Sequence, residues 1–104
     1  MKFEQNQNLL REKILSRTIS LREKLKGSDE QLPYKNGYIK TLLDIEETLT
    51  SQALDLNRLR RDKFGISRMV DGTADTPIER ELMLLHEELH DFIKASRELG
   101  NYQE

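Results

Sequence analysis

The 104 residues include no cysteine, no tryptophan, two prolines and five glycines. Without cysteine there can be no disulfide, no thiolate-held zinc, no iron–sulfur cluster and no thiol nucleophile. Long apolar runs are missing too, so no segment reads as a membrane span, and the polar N-terminal stretch Met1-Lys2-Phe3-Glu4-Gln5-Asn6 lacks the apolar core of a signal peptide. A cytoplasmic protein that does not engage a membrane is therefore the expectation. At this length one domain over residues 1–104 is expected, with a modest core and little room for a deep catalytic cleft.

What the chain does have is charge and helical periodicity. Charged residues make up 35% and apolar ones 36%, a balance typical of a soluble folded protein and not of a disordered one. The net charge of −2 conceals four blocks of alternating sign. Residues 1–26 carry +4, 27–57 carry −4, 58–68 carry +4 and 69–104 carry −6. Such blocks can attract one another within a bundle or across a dimer, setting register more than stability, because exposed pairs contribute only about 0–1 kcal/mol each.

Alternating steps of three and four apolar residues mark helices that pack along one seam. The first runs over about 4–26, with Leu10, Ile14, Leu21 and Leu25 on its face, Leu15 and Ile19 beside them, and Gly27 as the stop. A second is predicted over 38–63 along Tyr38, Leu42, Ile45, Leu49, Gln52, Leu56 and Leu59, ending before Gly65. A third is predicted over 77–99 along Ile78, Leu82, Leu85, Leu89, Phe92, Ser96 and Leu99. It is introduced by Thr76-Pro77-Ile78-Glu79, with Thr as N-cap, Pro at the first helical position and Glu closing a capping box. Residues 64–75 read as an apolar connection. The expected fold is all-α, a three-helix bundle or a helical hairpin with coiled-coil-like seams. Gln52 and Ser96 would be polar seam positions that fix register.

Leu82, Met83, Leu84 and Leu85 are consecutive and spread around most of their helix, which implies cover on nearly every side. Three helices would leave one flank bare, so a homodimer is expected, with Leu82, Met83, Leu84, His86, His90 and Ile93 at its interface. Two of these residues belong to the string His86-Glu87-Glu88-Leu89-His90, whose spacing can chelate zinc with a Glu as general base. The extended metallopeptidase pattern, however, would put Gly and His where this chain has Ile93 and Ser96. Glu12 or Glu47 from another helix could close a site, but no spacing points to them. Edge histidines satisfied by hydrogen bonds are the preferred reading, with a pH-responsive interface next and a metal-dependent hydrolase as the alternative function.

The basic run Arg58, Arg60, Arg61, Lys63 and Arg68, with Phe64 inside it, reads first as a solvated helix end, then as a contact for an acidic protein, and last as a weak nucleic-acid contact. Phe64, Ile66, Met69 and Val70 either cap the bundle or form a docking surface with those cations. Glu46-Glu47 and Glu88-Leu89-His90-Asp91 resemble the paired acidic motifs of all-α nucleoside triphosphate pyrophosphohydrolases of the MazG type. That resemblance implies metal-dependent chemistry by helical carboxylates, although Thr50 stands where the pattern carries a further Glu. The sequence is read as a small helical interaction module, an adaptor or regulator without catalytic activity or cofactor. Its partner-binding residues would be Arg58, Arg60, Arg61, Lys63, Phe64, Arg68, Met69 and Val70, and its partner a protein.

Overall fold

The helix α1 (Lys2–Gly27) buries Ile14, Thr18, Leu21 and Leu25, which recur every three to four residues and so line one face. Thr18 is the polar member of that stripe; its hydroxyl donates to the Ile14 carbonyl one turn back at 2.7 Å, which lets it sit in the core without a stranded donor. These details come from a computed structural model that describes residues 2–27, 34–70 and 76–100, with side chains over 7–27, 34–70 and 76–98. Among the described residues there is no strand.

Three further helices follow: α2 (Lys35–Thr50), α3 (Leu56–Val70) and α4 (Pro77–Gly100). Tyr38, Leu42, Ile45 and Leu49 of α2, Leu59, Ile66 and Val70 of α3, and Leu82, Leu85, Leu89, Phe92 and Ile93 of α4 join the α1 stripe in one core. α1 packs against α2 and α4, and α3 packs against the same two, while the backbones of the diagonal pairs stay apart. Neighbours run antiparallel: Lys24 meets Glu81 near one end of the α1–α4 pair and Gln7 meets Ser96 near the other. The result is an up-down-up-down four-helix bundle measuring 45 × 22 × 19 Å. It corrects the expectation of three helices or a hairpin.

The predicted helix over 38–63 is two helices, because the chain turns back at Ser51, Gln52 and Ala53. Hydrogen bonds fix this turn from both sides. Arg11 of α1 donates from Nε to the Leu49 carbonyl at 2.6 Å and from an Nη to the Ser51 carbonyl at 2.9 Å, satisfying acceptors that the end of α2 leaves open. Asp55 then accepts from the Arg58 backbone N–H at 3.1 Å as the N-cap of α3. Gln52 is consequently exposed in the turn, not in a seam. Nor does Gly65 end a helix. α3 runs through it to Val70, because burying Ile66 and Val70 outweighs the roughly 1 kcal/mol that a helical glycine costs. The segment expected to be a connection is therefore helical up to 70; its remainder, 71–75, lies outside the described residues.

The boundary at Thr76 is as expected. The Glu79 N–H donates to Thr76 Oγ1 at 3.1 Å, and Glu79 Oε1 accepts from the Thr76 N–H at 3.3 Å, a reciprocal capping box.

The fourth helix also answers the argument for a second chain. Leu82 is 0% and Ile93 5% exposed within a single chain, so these two are core residues and not an exposed interface. Met83 is half-buried against the same core, and only Leu84 of that turn stays open. Ser96 keeps its seam position, accepting from Gln7 Nε2 at 2.5 Å, but the seam joins α1 to α4 of one chain.

Candidate functional site

The alternating charge blocks become alternating helices. α1 and α3 are basic, α2 and α4 acidic, so each of the four packed pairs joins opposite signs. Across α1–α4, Arg17 Nε lies 2.5 Å from Glu88 Oε1 and Lys24 Nζ 2.9 Å from Glu81. Across α1–α2, Arg22 forks onto both oxygens of Glu46, at 2.5 and 3.1 Å. Across α2–α3, Arg58 holds both oxygens of Asp44 and reaches Glu47 at 3.0 Å. Across α3–α4 the described contacts are different in kind: Lys63 meets the ring of His90, and Arg97 lies 3.5 Å from the Asn57 amide oxygen. The short helix α3 thus has more cation than its two neighbours neutralise.

That surplus gathers on the outward face of α3. Asn57, Arg60, Arg61, Phe64, Gly65 and Arg68, spaced by three to four residues, line an open groove of about 660 Å³. No carboxylate lies among them. Phe64 is 47% exposed, with the Arg60 guanidinium 5.5 Å and the Lys63 ammonium 4.8 Å from its ring centre. Both distances are within cation–π range, so two positive groups contact the exposed ring. Gly65 contributes a side-chain-free floor; a Cβ built there would meet nothing within 4 Å.

The predicted partner-binding set therefore divides. Arg60, Arg61, Phe64 and Arg68 come together on this face. Arg58 is turned to α2, where it is committed to Asp44 and Glu47. Lys63 is only 8% exposed, its ammonium 3.2 Å from His90 Nδ1. Val70 is buried, and Met69 packs half-buried against the core. Of the two readings for the apolar segment, capping the bundle describes Ile66, Met69 and Val70, whereas Phe64 alone points outward.

The two histidines lie beside Lys63 between α3 and α4. His86 is half-buried with Nδ1 unpaired and out of solvent; burial, then the nearby Lys63 and His90, push its pKa below the ordinary imidazole value. The acids of the same string point elsewhere: Glu88 is claimed by Arg17 and Lys13 of α1, and Glu87 is exposed. Glu12 is exposed on α1, and Glu47 faces Arg58. Among the described residues, no three His, Asp or Glu side chains are grouped so as to hold a metal ion. The paired acids behind the pyrophosphohydrolase resemblance are likewise divided, with Glu46 and Glu47 on cations of two different helices and Asp91 exposed.

Sequence reasoning missed one cluster. A cleft of about 450 Å³ between α2 and α3 is lined by Asp44 and Asp62 beside Lys40, Thr41, Glu47 and Arg61, and the two carboxyl groups are close enough for each to act on the ionisation of the other. Arg58 holds Asp44 well below the usual carboxylate range. Asp62 has no such fork. Its Oδ2 is buried and faces no donor, and burial together with the adjacent Asp44 pushes its pKa up to about 8. A proton retained on Asp62 removes the repulsion between the two carboxyl groups and the cost of a buried charge. The available signal was Asp62 itself, the single acid within the basic run 58–68.

No family model matches the chain, and no curated protein and no solved structure matches it at a significant level.

Proposed function

We propose that this protein is a small helical interaction module, an adaptor or regulator, and that the outward face of α3 docks an acidic segment of a protein partner. The observation that carries this reading is the exposed Phe64 ring flanked by Arg60, Arg61 and Arg68 in a groove with no carboxylate among its described lining residues. Aromatic and arginine side chains dominate binding energy at protein interfaces, because they bury large, rigid area while keeping directional donors. Charge complementarity selects the occupant: a segment with several Asp or Glu and one apolar residue to cover Phe64. Such a role asks for no convergence of nucleophile, base and charge-stabilising group. The chain acts as one copy in this reading, since the turn of α4 thought to need a second chain is covered from within.

Fluorescence anisotropy with a labelled glutamate-rich peptide bearing a central leucine tests it. Binding is expected to weaken roughly tenfold in Phe64→Ala and by a comparable factor in Arg68→Gln, the scale of interface anchors. Random-sequence DNA binding as tightly as the peptide, with a steep salt dependence, would favour the nucleic-acid reading instead. A dimer in light scattering that Arg68→Glu dissolves would identify a second copy as the occupant.

A further inference from the structure

The α3 groove and the α2–α3 cleft are separate hollows with one side chain in common. Arg61 lines both. On the groove side it adds to Arg60 and Arg68; on the cleft side it faces Asp44 and Asp62 and acts on the ionisation of each. The other cation on Asp44, Arg58, is already spent on Asp44 and Glu47 in a fork that fixes its plane. The charge of Asp62, when present, must therefore be met by Arg61 or by Lys40, the remaining cations around the cleft.

We propose that the Asp44–Asp62 pair regulates the groove through Arg61: a proton on Asp62 leaves Arg61 to an acidic partner, and loss of that proton draws Arg61 back toward the cleft. This rests on the docking role assigned to α3. Asp62 Oδ2 is buried without a donor, so its proton is retained by geometry as much as by charge. The groups facing Asp62 are Asp44, Glu47 and Lys40 from α2, and Arg58 and Arg61 from its own helix. Linkage makes the effect reciprocal: a partner that occupies Arg61 removes a cation from Asp62 and tightens its hold on the proton, so binding takes up protons in the range where Asp62 titrates.

The test measures affinity for the glutamate-rich peptide near pH 7 and near pH 9 at constant ionic strength. The wild type is expected to bind roughly threefold more weakly at the higher pH, the scale of one exposed ion pair. Asp62→Asn, which keeps a donor toward Asp44 and cannot ionise, should lose most of that dependence. An equal fall in both proteins would assign the effect to another group, Lys63 foremost, and overturn the proposal. Peptide that binds the wild type equally at both pH values also overturns it while leaving the docking role standing; peptide that binds at neither overturns both. A second readout needs no peptide. In 13C NMR of the side-chain carboxyls, Arg61→Gln should raise the titration midpoint of Asp62, and an unmoved midpoint would break the link.

Discussion

Lys63 Nζ lies 3.2 Å from His90 Nδ1, so the ammonium of this buried lysine between α3 and α4 is met by an imidazole and by the Phe64 ring, with no carboxylate in contact among the described residues. Neither partner carries a compensating charge. Burial lowers the Lys63 pKa from its ordinary 10.5, and Arg60 and Arg97 push the same way. A base held below its unfolded pKa takes up fewer protons in the folded state, so its cost to stability is greatest well below pH 10.5 and fades as pH approaches that value. Lys63→Met keeps the length of the side chain and removes the charge. It is expected to raise the urea midpoint at neutral pH by about 1 kcal/mol of stability, with the gain shrinking as alkali neutralises the lysine. A variant less stable than wild type at neutral pH would mean that the ammonium contacts are worth more than the desolvation they require.

His86 extends the same argument to acid. It too is a base held below its ordinary value of 6.5, by burial first and by Lys63 next, with Nδ1 unpaired. The folded state resists protonation at His86 while the unfolded chain accepts it, so stability falls as pH drops through 6.5. Because the group lies between two helices of one chain, the pH response belongs to folding. His86→Gln should flatten the decline in urea midpoint between about pH 7.5 and 5.5. Parallel declines in wild type and variant would show that His86 stays solvated when it titrates.

The turn between α2 and α3 separates two readings of Gln52. In a continuous seam Gln52→Leu would bury apolar area and raise the melting temperature, as the periodicity suggests. Exposed in the turn, the same change is expected to move stability by less than about 0.5 kcal/mol. Asp55→Ala, three residues on, removes the side-chain acceptor that holds the Arg58 N–H and should cost about 1 kcal/mol. Thermal unfolding of the two variants side by side gives the comparison, and a stabilised Gln52→Leu would be inconsistent with the turn.

The sequence made the core legible and the connectivity misleading, for identifiable reasons. Tyr38, Leu42, Ile45 and Leu49, and likewise Leu82, Leu85, Leu89 and Phe92, are buried as their spacing indicates, because each lines one face of a real helix. Between them, Gln52, Leu56 and Leu59 continue the rhythm by coincidence across a turn with neither glycine nor proline. What bends the chain there is partly remote: Arg11, some forty residues away, supplies donors to the Leu49 and Ser51 carbonyls. Gly65 misleads in the opposite direction, since helix propensity is a weak prior beside the burial of Ile66 and Val70. The basic groove was half legible. Its residues stand in one run, but that Arg58 and Lys63 turn away from Arg60, Arg61 and Arg68 follows only from where α2 and α4 lie.

Asp62 inverts the usual dependence of stability on acid. An ordinary ion-paired carboxylate has a depressed pKa and loses its contribution as pH falls, and Asp44, held down to about 2 by Arg58, is of that kind. Asp62 is raised from 3.8 to about 8, so the folded state binds the proton more tightly than the unfolded chain does. Its contribution is fully present below pH 3.8 and is lost as pH rises toward 8. Asp62→Asn mimics the protonated form at every pH. Below pH 3.8 it should therefore match the wild type, and from there the gap should open in its favour as pH rises toward 8, reaching about 1 kcal/mol near pH 9, the scale of leaving a buried acceptor unsatisfied. Urea titrations across this range provide the measurement. A gap between the proteins that is largest in acid would mean that Asp44, not Asp62, holds the shared proton.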